Sequence, residues 1–199
     1  MIRALFQLPD RIFAWVEPMT TPVLTTLARV IFAAVLFWYY WNSGFTKVPD
    51  FVATWDTGAY VDAFKTLIEP SFNAFAQIFP KGAEAAGYDI TQATQFQKIV
   101  ILAGTWSEFI LPALVVLGLF TRAAAFGMIG FVVVQTLTDL YGHGAELGAF
   151  FDVASDSALD QRAFWIFLLL FLVFRGGGPL SLDRLFRSEP SPYLDDLQR

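Results

Sequence analysis

The chain contains no cysteine, which excludes disulfide staples, thiolate metal sites and dithiol redox chemistry. Histidine occurs once, at His143. With no His-x-x-x-His or Glu-x-x-His spacing, the sequence offers no ligand set for a dedicated transition metal. Charge is also scarce: 16% of the 199 residues are Asp, Glu, Lys or Arg, against about 25% in an ordinary soluble domain. The basic residues form no stripe and the formal net charge is −5, so nucleic acid is excluded as a partner. Walker loops, dinucleotide fingerprints and the Gly-x-Ser-x-Gly elbow are all missing.

What the chain has instead is apolar and aromatic side chains, 56% and 17% of the total. They gather in long stretches from which charge almost vanishes. A membrane-spanning helix needs roughly 20 mostly apolar residues, and four stretches qualify, at about 23–44, 99–120, 123–141 and 159–175. The fourth has a short uncharged core, 163–174, flanked by Arg162 and Arg175, which can snorkel at its two ends. Only Thr121 and Arg122 separate the second and third spans, so these must be antiparallel neighbours. The triple glycine 176–178 and Pro179 stop the last helix. The expected fold is an all-α membrane protein, a four-transmembrane-helix bundle over 22–175.

Around the bundle, residues 1–21 have apolar positions at helical spacing, broken by Pro9, Asp10 and Arg11 before they could form a signal peptide. They read as an N-terminal interfacial helix lying on the membrane. The loop 45–98 is too long for a connector. Its middle, from Tyr60 to Phe79 with Pro70 dividing it, predicts two short amphipathic helices capping the outer mouth of the bundle. The tail 176–199 is expected in the cytoplasm, with Ser181 capping a short interfacial helix and Asp183 favouring that helix's dipole. Lys and Arg are denser at the termini and at Arg122 than in the two long loops. The expected topology therefore has both ends on the cytoplasmic side of a bacterial cytoplasmic membrane.

Ionisable residues at membrane depth usually face the bundle interior and have partners. Arg29 lies about 10 Å into the first span and Glu108 about 14 Å into the second, at 1.5 Å per residue. Their long side chains predict a buried Arg29–Glu108 pair, the candidate catalytic centre. Pro112 should free the carbonyl of Glu108 and kink the helix beside it, and Trp106 and Ser107 can add polar groups there. Lys47 follows Arg29 by five whole turns and would share its face at the outer mouth, either as part of the site or as a snorkelling interfacial lysine. Asp139 and His143, four apart at the end of the third span, could form a carboxylate–imidazole relay to the outside. The candidate pocket is therefore Arg29, Lys47, Trp106, Glu108, Asp139 and His143.

In order and spacing the chain resembles the DoxX family of small four-helix membrane proteins. The resemblance rests on the arginine early in the first span, Gly44-x-x-Lys47, and Glu108 running into Gly118-Leu-Phe-Thr121-Arg122. It ends on Gly178-Pro-Leu-Ser181-Leu-Asp183-Arg184 after the fourth span. It implies roles of three kinds: subunits of a thiosulfate:quinone oxidoreductase, membrane partners of redox enzymes, and proteins allied to copper- or oxidant-responsive peptides. A quinone needs an apolar slot and donors near its carbonyls, which the buried charges could supply. The expected function is a quinone-interacting or accessory membrane component of a redox or detoxification system. The alternative is a non-enzymatic anchor or assembly partner for another envelope protein. The bilayer, a protein partner and a second copy of the chain are the expected associations.

Overall fold

The computed structural model describes residues 17–150 and 157–186. The expected interfacial helix at 1–21 lies mostly outside them, as does the tail beyond 186. The described residues are helical throughout, with no strand among them.

The chain opens with α1 (Glu17–Phe32), passes through a π-helical turn (Ala33–Phe37) and continues as α2 (Trp38–Lys47). Four short helices follow: α3 (Pro49–Asp56), α4 (Tyr60–Thr66), α5 (Phe72–Ile78) and α6 (Pro80–Ala85). A 3-10 turn at Ile90–Gln92 leads to α7 (Gln95–Leu117), α8 (Thr121–Leu137), a second π turn (Thr138–Gly142), α9 (Ala158–Arg175) and α10 (Leu182–Phe186). Among the described residues three helical stretches are long and apolar enough to cross a membrane: Met19–Lys47, Gln95–Leu117 and Thr121–Gly142. A lipid bilayer is the surrounding they fit.

Local chemistry fixes the ends. Thr94 and Gln97 form a capping box at the start of α7, and Ser157 caps α9 through the Asp160 amide. Gly118 ends α7 in the left-handed region at φ +70°, where a Cβ is costly. Asp89 caps the 3-10 turn, and bonds from the Thr91 hydroxyl and amide hold its carboxyl below the usual carboxylate range.

The main core is built from Ala28, Phe32, Leu36 and Tyr40 of the first helix against Val115, Ala124, Met128, Val132, Leu169 and Leu172. The first four are spaced by four. In a straight α-helix that spacing drifts about 120° over twelve residues. The π turn takes up one extra residue and cuts the drift to about 20°. One inserted residue thus keeps a single face buried from Ala28 to Tyr40. It also turns Lys47 about 100° away from the alignment with Arg29 that five regular turns predict.

α7 and α8 pack as neighbours; α9 lies against α8 and α1, and α2 lies against α7. The segment between α2 and α7 holds four short helices rather than the expected two, and they divide by role. α5 packs on α2 and α7, and with α6 it forms a second small core of Ala74, Phe75, Ala83, Ala93 and Ile101. α3 and α4 pack chiefly on each other through Phe51, Trp55, Tyr60 and Phe64. Their outer faces leave Val61, Phe64 and Ile68 exposed.

Candidate functional site

Glu108 and Lys47 meet inside the protein. Lys47 Nζ lies 3.0 Å from both Glu108 Oε1 and Oε2, and the two residues are only 6% and 4% exposed. Ser43, one turn before Lys47, accepts from Lys47 Nζ at 2.9 Å and donates to Glu108 Oε1 at 3.2 Å. Close approach of α2 and α7 makes this possible. Gly44 faces the Phe109 ring so closely that a Cβ there would stand 2.6 Å from it. Trp41 Nε1 donates to the Phe109 carbonyl at 3.3 Å.

α5 closes over the pair. The Ser71 hydroxyl donates to the Lys47 carbonyl and receives the Ala74 amide. Asn73 and Gln77 bond to Thr46, and His143 Nε2 is 2.9 Å from the Gln77 carbonyl. Below α5 a cavity of about 430 Å³ opens between α2, α7 and α8. Its polar lining includes Ser43, Lys47, Glu108, Gln135, Asp139 and His143. Its space comes from small residues, Ala103 and Gly104 on α7 and Gly127 and Gly130 on α8. Nothing lies within 4 Å of where a Gly130 Cβ would be. Deeper, Gln135 is fixed by Tyr39 and Tyr40.

The expected Arg29–Glu108 pair does not form. Helical side chains lean toward the N-terminus of their own helix, and Arg29 leans toward the end of α7. There its Nε donates to the Val115 carbonyl at 3.1 Å and Nη2 to that of Val116. Nη1 donates to the carbonyls of Gly177 at 3.1 Å and Leu180 at 2.6 Å. The last carbonyls of a helix have no partner within it, and they draw the guanidinium away from Glu108. Lys47 is likewise no snorkelling interfacial residue but the partner of Glu108.

Asp139 and His143 do not bond to each other. The π turn between them displaces the regular i, i+4 register. Asp139 instead pairs with Arg162 Nη2, while both it and His143 line the cavity. Trp106 is exposed and does not line it. Arg162, expected to snorkel, is 7% exposed.

At the opposite end, the motif after α9 forms a clasp. The Asp183 carboxylate accepts from the Phe120 amide at 2.6 Å, and from the Thr121 amide and hydroxyl at 2.8 and 2.7 Å. It caps α8, not the short helix that contains it. The Asp183 amide donates to the Gly118 carbonyl at 2.8 Å. Gly177 and Gly178 let this segment press on Thr121, Ser181 and Thr25, where a Cβ would collide. The glycines therefore permit contact and do more than stop a helix.

Sequence reasoning missed Ser43, Gln135 and the glycines of α8. Ser43-x-x-x-Lys47 and Gly127-x-x-Gly130 were the available signals, one for a shared helix face and one for close approach or space. A scan against protein-family models, a search of curated proteins and a search of solved structures find no match to this chain.

Proposed function

We propose that this chain is a four-span, DoxX-like protein of a bacterial cytoplasmic membrane. It binds the head of a membrane quinone beside Lys47 and Glu108, as an accessory component of a redox or detoxification system. The observation that carries this reading is a buried ion pair facing a cavity of about 430 Å³ between apolar helices.

The residues fit such a head. Ile78, Leu111 and Phe131 supply apolar wall, Lys47 and Ser43 supply donors, and Glu108 and Asp139 supply acceptors. A few polar groups in a mostly apolar cleft is the usual build of a small-molecule site. A bound quinone contributes two-electron, two-proton acceptor chemistry, and the electrons belong to a partner protein. The chain's own part is to orient the head and exclude water. Lys47 and Glu108 hold or release a proton at Glu108 Oε2.

Two features support the fourth span and the orientation. α9 has eighteen residues, about 27 Å at helical rise, and it exposes Phe164, Phe167 and Phe174 by more than two thirds each. A bilayer gives such side chains apolar surroundings. Arg122, Arg175 and Arg184 mark the clasp end, which the bias of basic residues places in the cytoplasm together with both termini.

Gly130→Leu tests the cavity. The added side chain projects into open space in the cavity and narrows it. Saturable binding of a short-chain quinone, read by tryptophan quenching in nanodiscs, should fall at least tenfold while unfolding stability holds. Wild-type protein that binds no quinone under these conditions ends the proposal.

A second reading, an anchor or assembly partner, is favoured by the exposed faces of α3 and α4. The triple variant Val61→Ser, Phe64→Ser, Ile68→Ser should release one dominant partner, or a second copy, from native membranes and leave quinone binding intact. An unchanged complex would remove this reading.

A further inference from the structure

A second opening lies on the far side of Asp139, in the seam between α8 and α9. It is a groove of about 380 Å³ walled by Val133, Leu137, Ile166, Phe167 and Leu170. Arg162 is the one charged residue among its described lining. The guanidinium gives Nη2 to Asp139, while Nη1 is buried and has no hydrogen-bond partner. The Arg162 side chain is 8% exposed. A buried donor without an acceptor is rare in folded proteins and asks for an explanation.

Four observations define what would satisfy it. The groove is apolar and opens outward past Phe150 and Phe167, which are 53% and 72% exposed, so its occupant carries hydrocarbon. Arg162 stands four residues into α9, about 6 Å from the helix start. In a bilayer that is the depth of glycerol esters, not of the acyl midplane. Asp139 already neutralises the guanidinium, so the missing acceptor is an uncharged oxygen and not a second anion. In sequence, residues 138–161 carry Asp139, Glu146, Asp152, Asp156 and Asp160 and no lysine or arginine. That balance repels anionic head groups and favours a head bearing an ammonium.

We propose that the groove is a lipid site. It holds one acyl chain of a zwitterionic, ammonium-headed phospholipid, with a glycerol ester carbonyl accepting from Arg162 Nη1. The proposal rests on α8 and α9 lying in a bilayer, and is independent of what fills the Lys47–Glu108 cavity.

Native mass spectrometry of protein recovered from vesicles of equal phosphatidylethanolamine and phosphatidylglycerol tests it. Wild-type protein should retain one phosphatidylethanolamine per chain, several-fold over phosphatidylglycerol. Ala163→Phe, which narrows the groove, should lower that retention at least fivefold. Arg162→Lys keeps the charge opposite Asp139 but loses the second terminal nitrogen, and should lower it as well. Equal retention of the two lipids, a quinone retained in their place, or retention unchanged in the folded variants overturns the lipid site. Protein that alkaline carbonate strips from the vesicles overturns the bilayer reading itself, which keeps the two failures distinct.

Discussion

Glu108→Ala should destabilise the protein by about 3–5 kcal/mol, and Lys47→Ala by a similar amount, because each leaves a buried charge without its partner. The double variant Lys47→Met, Glu108→Met should recover most of that loss. The reasoning follows from where the pair lies. Both side chains are nearly free of solvent, and among the described residues Ser43 is the only further side chain bonded to the carboxylate. Removing one charge strands the other in a medium that solvates it poorly, whereas removing both replaces two costly desolvations with apolar packing. Titration from mild detergent into denaturing detergent, followed by helicity, reads the four unfolding free energies. A near-wild-type double variant that no longer binds quinone would show that the pair is kept for chemistry and not for stability. Single variants costing less than about 1 kcal/mol would mean that water screens the pair, and a closed site would be lost with it.

Much of the architecture is written in the chain because it depends on local pattern. Hydrophobic length marks the helices, although the second span, expected at about 99–120, runs as α7 from Gln95 to Leu117. Two spans with almost nothing between them predict a sharp turn; expected at Thr121–Arg122, it lies just before them, at Gly118–Phe120, with Thr121 and Arg122 opening α8. The site was legible only as an inventory. Lys47, Glu108, Asp139 and His143 all line the cavity, but their partners depend on helix rotation, which composition does not encode. Two π turns, at Ala33–Phe37 and Thr138–Gly142, each shift the register by one residue. One shift moves Lys47 off the line of Arg29; the other separates Asp139 from His143. No residue type announces such a turn. Pairing by depth failed for Arg29 because depth counts opposite charges and overlooks carbonyls. Four of these, at a helix end and a glycine-rich loop, offer a guanidinium more bonds than one carboxylate can.

The two ends of the molecule thus divide their work. Charged groups at the cavity end face space, and Arg162 still has a donor to give. At the clasp end Arg29 is matched to carbonyls, and Asp183 to two amides and the Thr121 hydroxyl. The short motifs singled out in the sequence fall on both ends. Gly44-x-x-Lys47 and Glu108 build the cavity, whereas Arg29, the Gly118–Arg122 turn and the Gly178–Arg184 segment build the clasp.

Arg29→Leu should then be the most damaging single change at the clasp, at roughly 4 kcal/mol or more. A hydrogen bond to a charged group contributes about 1.5–3 kcal/mol, and Arg29 donates to Val115, Val116, Gly177 and Leu180. The effects are not additive, so a total above about 4 kcal/mol already places the change among the severe ones. Leucine fills part of the volume and satisfies none of the four acceptors. Arg29→Lys should recover less than half, because a single ammonium cannot reproduce a planar fork directed at two separate segments. The damage should also have a location. Residues 176–186 are tied to the helices through Arg29 and Asp183, so their amide protons should exchange far faster in Arg29→Leu, with those of α7 around Glu108 changed much less. Hydrogen exchange read by mass spectrometry separates that pattern from general unfolding. An Arg29→Leu protein with unchanged unfolding free energy and a protected 176–186 segment would show that the guanidinium does not hold the clasp, and that the glycine packing alone suffices.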